Sequence, residues 1–196
     1  MSHMPPIEGL NEQQQEAVSL PAGPSLILAG AGSGKTRVLT HRIAYLVGHL
    51  GEPPGSILAV TFTNKAAREM RERVEELLGI SVANLWIGTF HGLCHRMLRA
   101  HHQALDLPAD FQILDAEDQK RMVRRVIRDA GVDEKAYDPR RVQGAINALK
   151  EDGQTPADAD AGDNDPTIVN LYRRYQATLH SSGLVDFGGL LLRTLE

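Results

Sequence analysis

The chain has 196 residues, 42% of them hydrophobic and 23% charged, with a formal net charge of −4. That is enough apolar material for one large domain or two small ones, and it excludes binding of polyanions by bulk charge, so any nucleic-acid surface must be local. The single cysteine, Cys94, excludes an internal disulfide and fits a reducing cytosol, and the sequence has neither a membrane-length apolar run nor a signal-peptide pattern.

Met1-Ser2-His3 ahead of Met4 reads as a cloning scar. Leu10 to Leu20 predicts a helix with Asn11 as N-cap and Gln14 at capping-box spacing. Gln14 also has a functional reading, its amide facing an adenine and using donor and acceptor together. The residues leave both open. Pro21 to Pro24 then break the helix.

Leu26–Ala29 is a short apolar run that predicts a buried parallel strand. It leads into Gly30-Ala31-Gly32-Ser33-Gly34, after which Lys35-Thr36 open a helical pattern. Strand, glycine loop and helix in that order predict a phosphate-binding loop. Glycines let successive N–H groups turn inward toward phosphate oxygens, and a helix N-terminus adds its positive dipole end. Lys35 supplies a point charge for the β- and γ-phosphates, and the Thr36 hydroxyl a ligand for Mg²⁺. The general pattern starts with Gly where this chain has Ala29. Arg37 follows at once and reads either as a neighbour of the nucleotide or as a solvated arginine.

Ile57–Phe62 predicts a second buried strand, and Thr63-Asn64 cap a helix over Lys65 to Leu78 that Gly79 closes. Leu85–Thr89 predicts a third strand, followed by Phe90-His91 and another helix. Ligands of open α/β sheets sit at the carboxyl ends of the strands. At these two ends Phe62 and Phe90 are candidates to stack on bases, with Thr63, Asn64 and Thr89 as phosphate partners. The other reading of Phe62 is a core residue. His91 and His95 are four apart but lack a third ligand of obvious type.

From about residue 90 the pattern is all-helical. Asp115 caps a helix with Met122, Val123, Val126 and Ile127 inward and Lys120, Arg121, Arg124, Arg125 and Arg128 on its other side. This basic stripe is either a solvated face or a phosphate contact. A helix is expected over Pro139 to Lys150, a mobile loop over Glu151 to Asp165, a long helix from Pro166, and a last helix capped by Asp186. No acidic residue ends another apolar strand to hold Mg²⁺ and position water, so the apparatus of a nucleotide hydrolase is half present.

These motifs together resemble the UvrD/Rep/PcrA-type superfamily 1 DNA helicases. Leu10 to Val18 resembles the family's Q motif, with Gln14 at the adenine-reading position, and the family commonly has Ala where Ala29 stands. Ala59 to Ala67 resembles motif Ia, Gly88-Thr89-Phe90-His91 the next DNA-contacting motif, and Phe111 to Asp115 and Val185-Asp186-Phe187 landmarks of the helical domain 1B. Gly189 departs from the acidic residue usual there.

The resemblance implies an α/β fold: a partial RecA-like P-loop NTPase parallel sheet over 1–89, the first part of domain 1A, then an incomplete all-helical subdomain 1B over 90–196. It implies ATP held by Gln14, Ala29, Gly30, Ala31, Gly32, Ser33, Gly34, Lys35, Thr36 and Arg37, with Lys35 and Thr36 catalytic and Thr36 holding Mg²⁺ through ATP. It implies DNA contacts at Phe62, Thr63, Asn64, Thr89, Phe90 and His91. The intact protein would be a bacterial, cytoplasmic, ATP-dependent 3′–5′ DNA helicase. It would act on single-stranded and partly duplex DNA in nucleotide excision and mismatch repair, at the nucleoid, with repair proteins as partners and no membrane. The rest of the motor would follow residue 196, and this stretch alone would not turn over ATP. Two other readings are a small P-loop kinase and a truncated DNA-binding or regulatory module without catalysis.

Overall fold

The computed structural model describes residues 7–196. Met1-Ser2-His3, read as a cloning scar, lies outside them. The chain divides into two compact units, Met1–Leu93 and Cys94–Glu196, with the boundary inside one helix.

The first unit runs α1 (Glu12–Ser19), α2 (Lys35–Gly48), β1 (Leu58–Thr61), α3 (Asn64–Leu78), β2 (Trp86–Thr89) and the start of α4 (Phe90–Ala100). The strands β1 and β2 pair in parallel, Leu58 opposite Trp86 through Thr61 opposite Thr89. Parallel neighbours need a crossover connection, and α3 supplies it. Its buried Ala67, Met70, Val74 and Leu78 recur at three- and four-residue spacing, so one face meets the sheet. Thr63 caps its start by accepting from the Ala66 N–H, and Gly79 closes it at φ 65°. The Arg71 guanidinium donates to the Ile87 carbonyl and ties α3 to β2. The core gathers Ile43 and Ala44 of α2, Ala59 and Ile87 of the strands, and Met70 and Val74 of α3. A smaller cluster, Leu10, Val18 and Val38, seats α1 on α2.

One expected strand is absent. Leu26–Ala29 has no strand geometry, and Leu26 and Leu28 are 85% and 86% exposed. A strand exists through a neighbour's backbone groups. Among the described residues β1 is matched with β2, and nothing pairs with 26–29. An apolar run records a demand for burial without naming what meets it.

The second unit contains β3 (Gln112–Leu114), α5 (Ala116–Asp129), α6 (Pro139–Glu151), α7 (Pro156–Ala161), α8 (Pro166–Ser181), β4 (Leu184–Asp186) and α9 (Phe187–Leu195). Its main core is Val123, Val126 and Ile127 of α5, Val142, Ile146 and Leu149 of α6, and Ile168, Leu171, Tyr172, Tyr175 and Leu179 of α8. Two expectations are corrected here. The region after residue 90 is not all-helical, because β3 and β4 pair in parallel, Gln112 with Leu184 through Leu114 with Asp186. The Glu151–Asp165 stretch is not simply a loop. Thr155 accepts from the Asp158 N–H while the Asp158 carboxylate accepts from the Thr155 N–H, Pro156 takes the first helical position, and α7 forms over a buried Ala159.

A buried polar cluster joins these elements. Lys150 and Asp186 are 2% and 1% exposed, and the Lys150 ammonium donates to both Asp186 oxygens at 2.8 and 2.9 Å. Asp186 Oδ2 also accepts from the Tyr175 hydroxyl at 2.7 Å and the Gln119 amide at 3.2 Å. Asp186 Oδ1 accepts from the Gly189 N–H at 2.7 Å, which caps α9. Burial lowers the Lys150 pKa, and the Asp186 charge opposes it. Burial, then Asp186, raises the Tyr175 phenol well above its ordinary value. A Cβ on Gly189 would stand 2.6 Å from Asp186 Oδ1, so the cap in this form needs glycine.

Candidate functional site

The loop after residue 29 turns through two left-handed glycines, Gly32 at φ 76° and Gly34 at φ 86°. A side chain at either would be strained, which is why this curl takes glycine. Ser33 folds back, its hydroxyl donating to the Gly30 carbonyl at 2.8 Å. Gly34 is the N-cap of α2 and brings no side-chain acceptor. The first amides of α2 are therefore left for an outside acceptor, as phosphate binding at a helix start requires. Lys35 is exposed and its ammonium donates to the carbonyls of Ala29 at 3.2 Å and Gly30 at 2.8 Å. The charge thus arches over the loop it would serve. Ala31 and Thr36 are exposed on the same turn. The donor set fits a polyphosphate with its divalent cation: open amides, one ammonium and one accessible hydroxyl.

The capping reading of Gln14 holds, and its amide also reaches the glycine loop. Its Oε1 accepts from the Asn11 N–H at 3.2 Å, completing the capping box with the Gln14 N–H on Asn11 Oδ1 at 2.9 Å. Its Nε2 reaches across to donate to the Ser33 carbonyl at 3.1 Å. A Cβ on Gly34 would lie 2.9 Å from that Nε2, so the approach also depends on glycine. Arg37 does not turn toward the loop; its Nη2 donates to the Gly9 carbonyl at 2.9 Å, tying α2 to the segment before α1. A cleft of about 510 Å³ opens between α1 and the loop, lined by Gln14, Leu28, Ala29, Lys35 and Arg42 among others. That volume is in the range of small-molecule sites. Sequence reasoning does not single out Arg42, although it lies seven residues after Lys35 and so on the same helical face. It also holds α1 in place, donating to the Val18 carbonyl at 2.7 Å.

The second set of candidates lies where β1 and β2 end. Their parallel register places Thr61 beside Thr89, so the residues that follow form adjacent corners. Phe62 is 90% exposed and is not a core residue. Phe90 is 52% exposed, and the two ring centroids are 6.3 Å apart. Thr63, Asn64 and His91 are exposed, and Thr89 Oγ1 accepts from the Gly92 N–H at 3.2 Å. Two uncovered aromatic rings at a sheet's carboxyl edge are costly to leave in water without a partner, and their flat faces suit bases.

Among the described residues no group of three or more His, Cys, Asp or Glu is placed to hold a metal ion, and no helix is long and apolar enough to cross a membrane. Asp186 does end an apolar strand, yet both its oxygens are committed to Lys150, with Tyr175, Gln119 and the Gly189 N–H sharing them. It is a structural carboxylate.

Residues 10–196 match the family described as the UvrD/REP helicase N-terminal domain. The chain is 50% identical over 192 residues to DNA helicase II of Salmonella typhimurium, and equally so to that of Escherichia coli, covering 97% of this chain and 27% of each relative. It is 50% identical to the ATP-dependent DNA helicase PcrA of Leuconostoc citreum over 96% of this chain and 26% of that protein. The chain thus spans about a quarter of the length of the curated relatives it matches. With a glycine loop opening α2, a glutamine reaching into it and matched identity along nearly its whole length, the chain belongs to the UvrD/REP helicase N-terminal domain family.

Proposed function

We propose that this chain is the ATP-binding and single-stranded-DNA-contacting part of an ATP-dependent 3′–5′ DNA helicase that acts in repair. In this reading 1–89 is the opening of a RecA-like domain 1A and 90–196 most of domain 1B. ATP is held by Gln14 and residues 29–36, with Arg37 supporting from behind through Gly9. Mg²⁺ held by the Thr36 hydroxyl would supply charge neutralisation at the β- and γ-phosphate oxygens. Lys35 leaves the Ala29 and Gly30 carbonyls to meet phosphate. Phe62, Thr63, Asn64, Thr89, Phe90 and His91 contact the single strand. Unidentified repair proteins are its partners, and it works in the bacterial cytoplasm at the nucleoid.

The observation that carries the reading is the pairing of an open phosphate loop with two exposed aromatic corners on one small unit. A kinase would need a substrate lid, and neither aromatic corner serves one. The test is fluorescence anisotropy of the chain with a labelled single strand at fixed salt, because salt alone moves such affinities. Phe62→Ala should weaken binding by roughly 1–3 kcal/mol, the worth of one stacked base. Its melting temperature should hold, because the ring is exposed. His91→Ala should weaken binding in the same direction. Unchanged affinity in both variants would remove the corners from the DNA site.

A further inference from the structure

We propose that a cavity of the Cys94–Glu196 unit, lined by α8 and α9, binds a small hydroxy-carboxylate, with its carboxylate on Arg193 and its hydroxyl on Gln176. The site uses none of the residues given to ATP or single-stranded DNA above.

The cavity holds about 410 Å³, within the range of small-molecule sites. Tyr172 and Gln176 of α8 and Leu192 and Arg193 of α9 line it, with Thr155 and Pro156 at the start of α7. Among the described residues three buried side-chain polar atoms have no hydrogen-bond partner: Gln154 Oε1, Gln176 Oε1 and Arg193 Nε. Gln176 and Arg193 line this cavity. Gln154 adjoins it, since its carbonyl accepts from the Tyr172 hydroxyl at 3.0 Å. Buried polar atoms left unpaired are unfavourable and call for an explanation one by one. Here the three fall in one place, and the chain's own groups do not complete them.

The charges favour a monoanion. Two cations are buried in this region, Lys150 at 2% exposure and the Arg193 side chain at 11%. Asp186 compensates Lys150. Arg193 Nη2 donates to the Leu105 carbonyl at 2.7 Å, which leaves the cation unneutralised. Glu196 Oε2 lies 3.4 Å from Arg193 Nε without accepting a hydrogen bond, and that side chain is 40% exposed, so water screens the pair. The Lys150 pKa is lowered by burial first and, after the opposing Asp186, by the Arg193 charge, so the two cations feel each other. A ligand carboxylate on Nε relieves this, through a charged hydrogen bond of the stronger kind. A phosphate dianion brings more acceptors than the site has free donors, and it meets the Glu196 charge. Gln176 Oε1 accepts only, so the same ligand must also carry a donor. Pro156, Tyr172 and Leu192 offer the hydrocarbon body of the acid an apolar wall.

The experiment titrates the isotope-labelled 196-residue chain with α-hydroxyisocaproate, with isocaproate (the same acid without the hydroxyl) and with inorganic phosphate. The hydroxy acid should shift the Gln176 side-chain amide and Arg193 Nε–H resonances saturably. Isocaproate should bind about tenfold more weakly, the worth of one hydrogen bond. Gln176→Met removes the acceptor and should bring the two acids to within about twofold of each other. Arg193→Lys keeps a charge but loses the Nε–H, and should weaken both acids several-fold and equally. Resonances outside the cavity check that each variant folds, and if Arg193→Lys does not, Gln176→Met decides alone. Shifts that do not saturate, equal affinity of the parent for the two acids, or discrimination that survives Gln176→Met would each overturn the proposal. Phosphate binding at the same resonances more tightly than the hydroxy acid would overturn it as well.

Discussion

Lys35→Ala, made in an intact helicase carrying this sequence, is expected to lower ATP turnover by about 10²–10³-fold, or roughly 2.7–4 kcal/mol of transition-state stabilisation. Strand unwinding should fall with it, while single-stranded DNA affinity stays near that of the parent. Charge develops on the phosphoryl oxygens during transfer, and a positioned ammonium acts on it more strongly than on the bound ground state. The fold should survive. Lys35 is exposed, and the carbonyls of Ala29 and Gly30 to which it donates can turn to water when it is gone. The DNA contact proposed above uses Phe62 and Phe90, which take no part in the loop. Lys35→Arg should also fail, since a broad planar fork replaces a compact charge in a tight curl. Steady-state phosphate release checks the first part and anisotropy the second. Turnover near the parent's rate would refute the role given to Lys35.

The second large effect lies far from any nucleotide. Lys150→Met should destabilise the Cys94–Glu196 unit by about 3–5 kcal/mol, a large part of a domain's total of roughly 5–15 kcal/mol. Lys150 is 2% exposed, and its removal strands the Asp186 carboxylate in the core. Tyr175, Gln119 and the Gly189 N–H remain on that carboxylate, but none carries charge. The double variant Lys150→Met/Asp186→Asn should recover part of the loss, because no lone charge is then buried. The pH dependence has a definite sign. The folded-state pKa of Lys150 lies below its unfolded value, so between the two the unfolded chain binds a proton that the folded chain does not. Parent stability therefore gains from this residue as pH rises through that window toward about 10.4, and Lys150→Met lacks the gain. Urea melts at neutral and alkaline pH read both effects. A midpoint unchanged by Lys150→Met would show that the ion pair contributes nothing net.

The parts legible in the sequence are those whose cause is local. Asn11 and Gln14 stand three apart, and that spacing alone brings each side chain to the other's backbone N–H. Thr63 and Asp115 announce helix starts in the same way, and the glycine loop announces its curl. Thr155, Pro156 and Asp158 carry an equally local signal for α7, masked because the segment has almost no apolar periodicity; of its residues only Ala159 is buried. What is not legible depends on partners distant in the chain. Leu26–Ala29 is as apolar as Leu58–Thr61, yet only the latter finds a neighbouring strand. Gln112–Leu114 and Leu184–Asp186 are too short to show an alternation, so their pairing is invisible although both lie in motifs that stand out for other reasons. Lys150 reads as a surface residue at a helix end, and nothing near it betrays the carboxylate of Asp186.

The β3–β4 ladder also bears on the order in which the second unit assembles. Its two strands lie near opposite ends of that unit's sequence, with α5 to α8 between them. Closing so long a loop is entropically unfavourable until the helices between have shortened it, and contacts of high sequence separation slow folding. The helices should therefore form and collide first, on Val126, Ile146 and Tyr172, with the ladder closing late. Closure then delivers Asp186 to Lys150 and caps α9 in one step. Substitutions in the ladder should consequently act mainly on the rate of unfolding, and those in the α5–α6–α8 core mainly on the rate of folding.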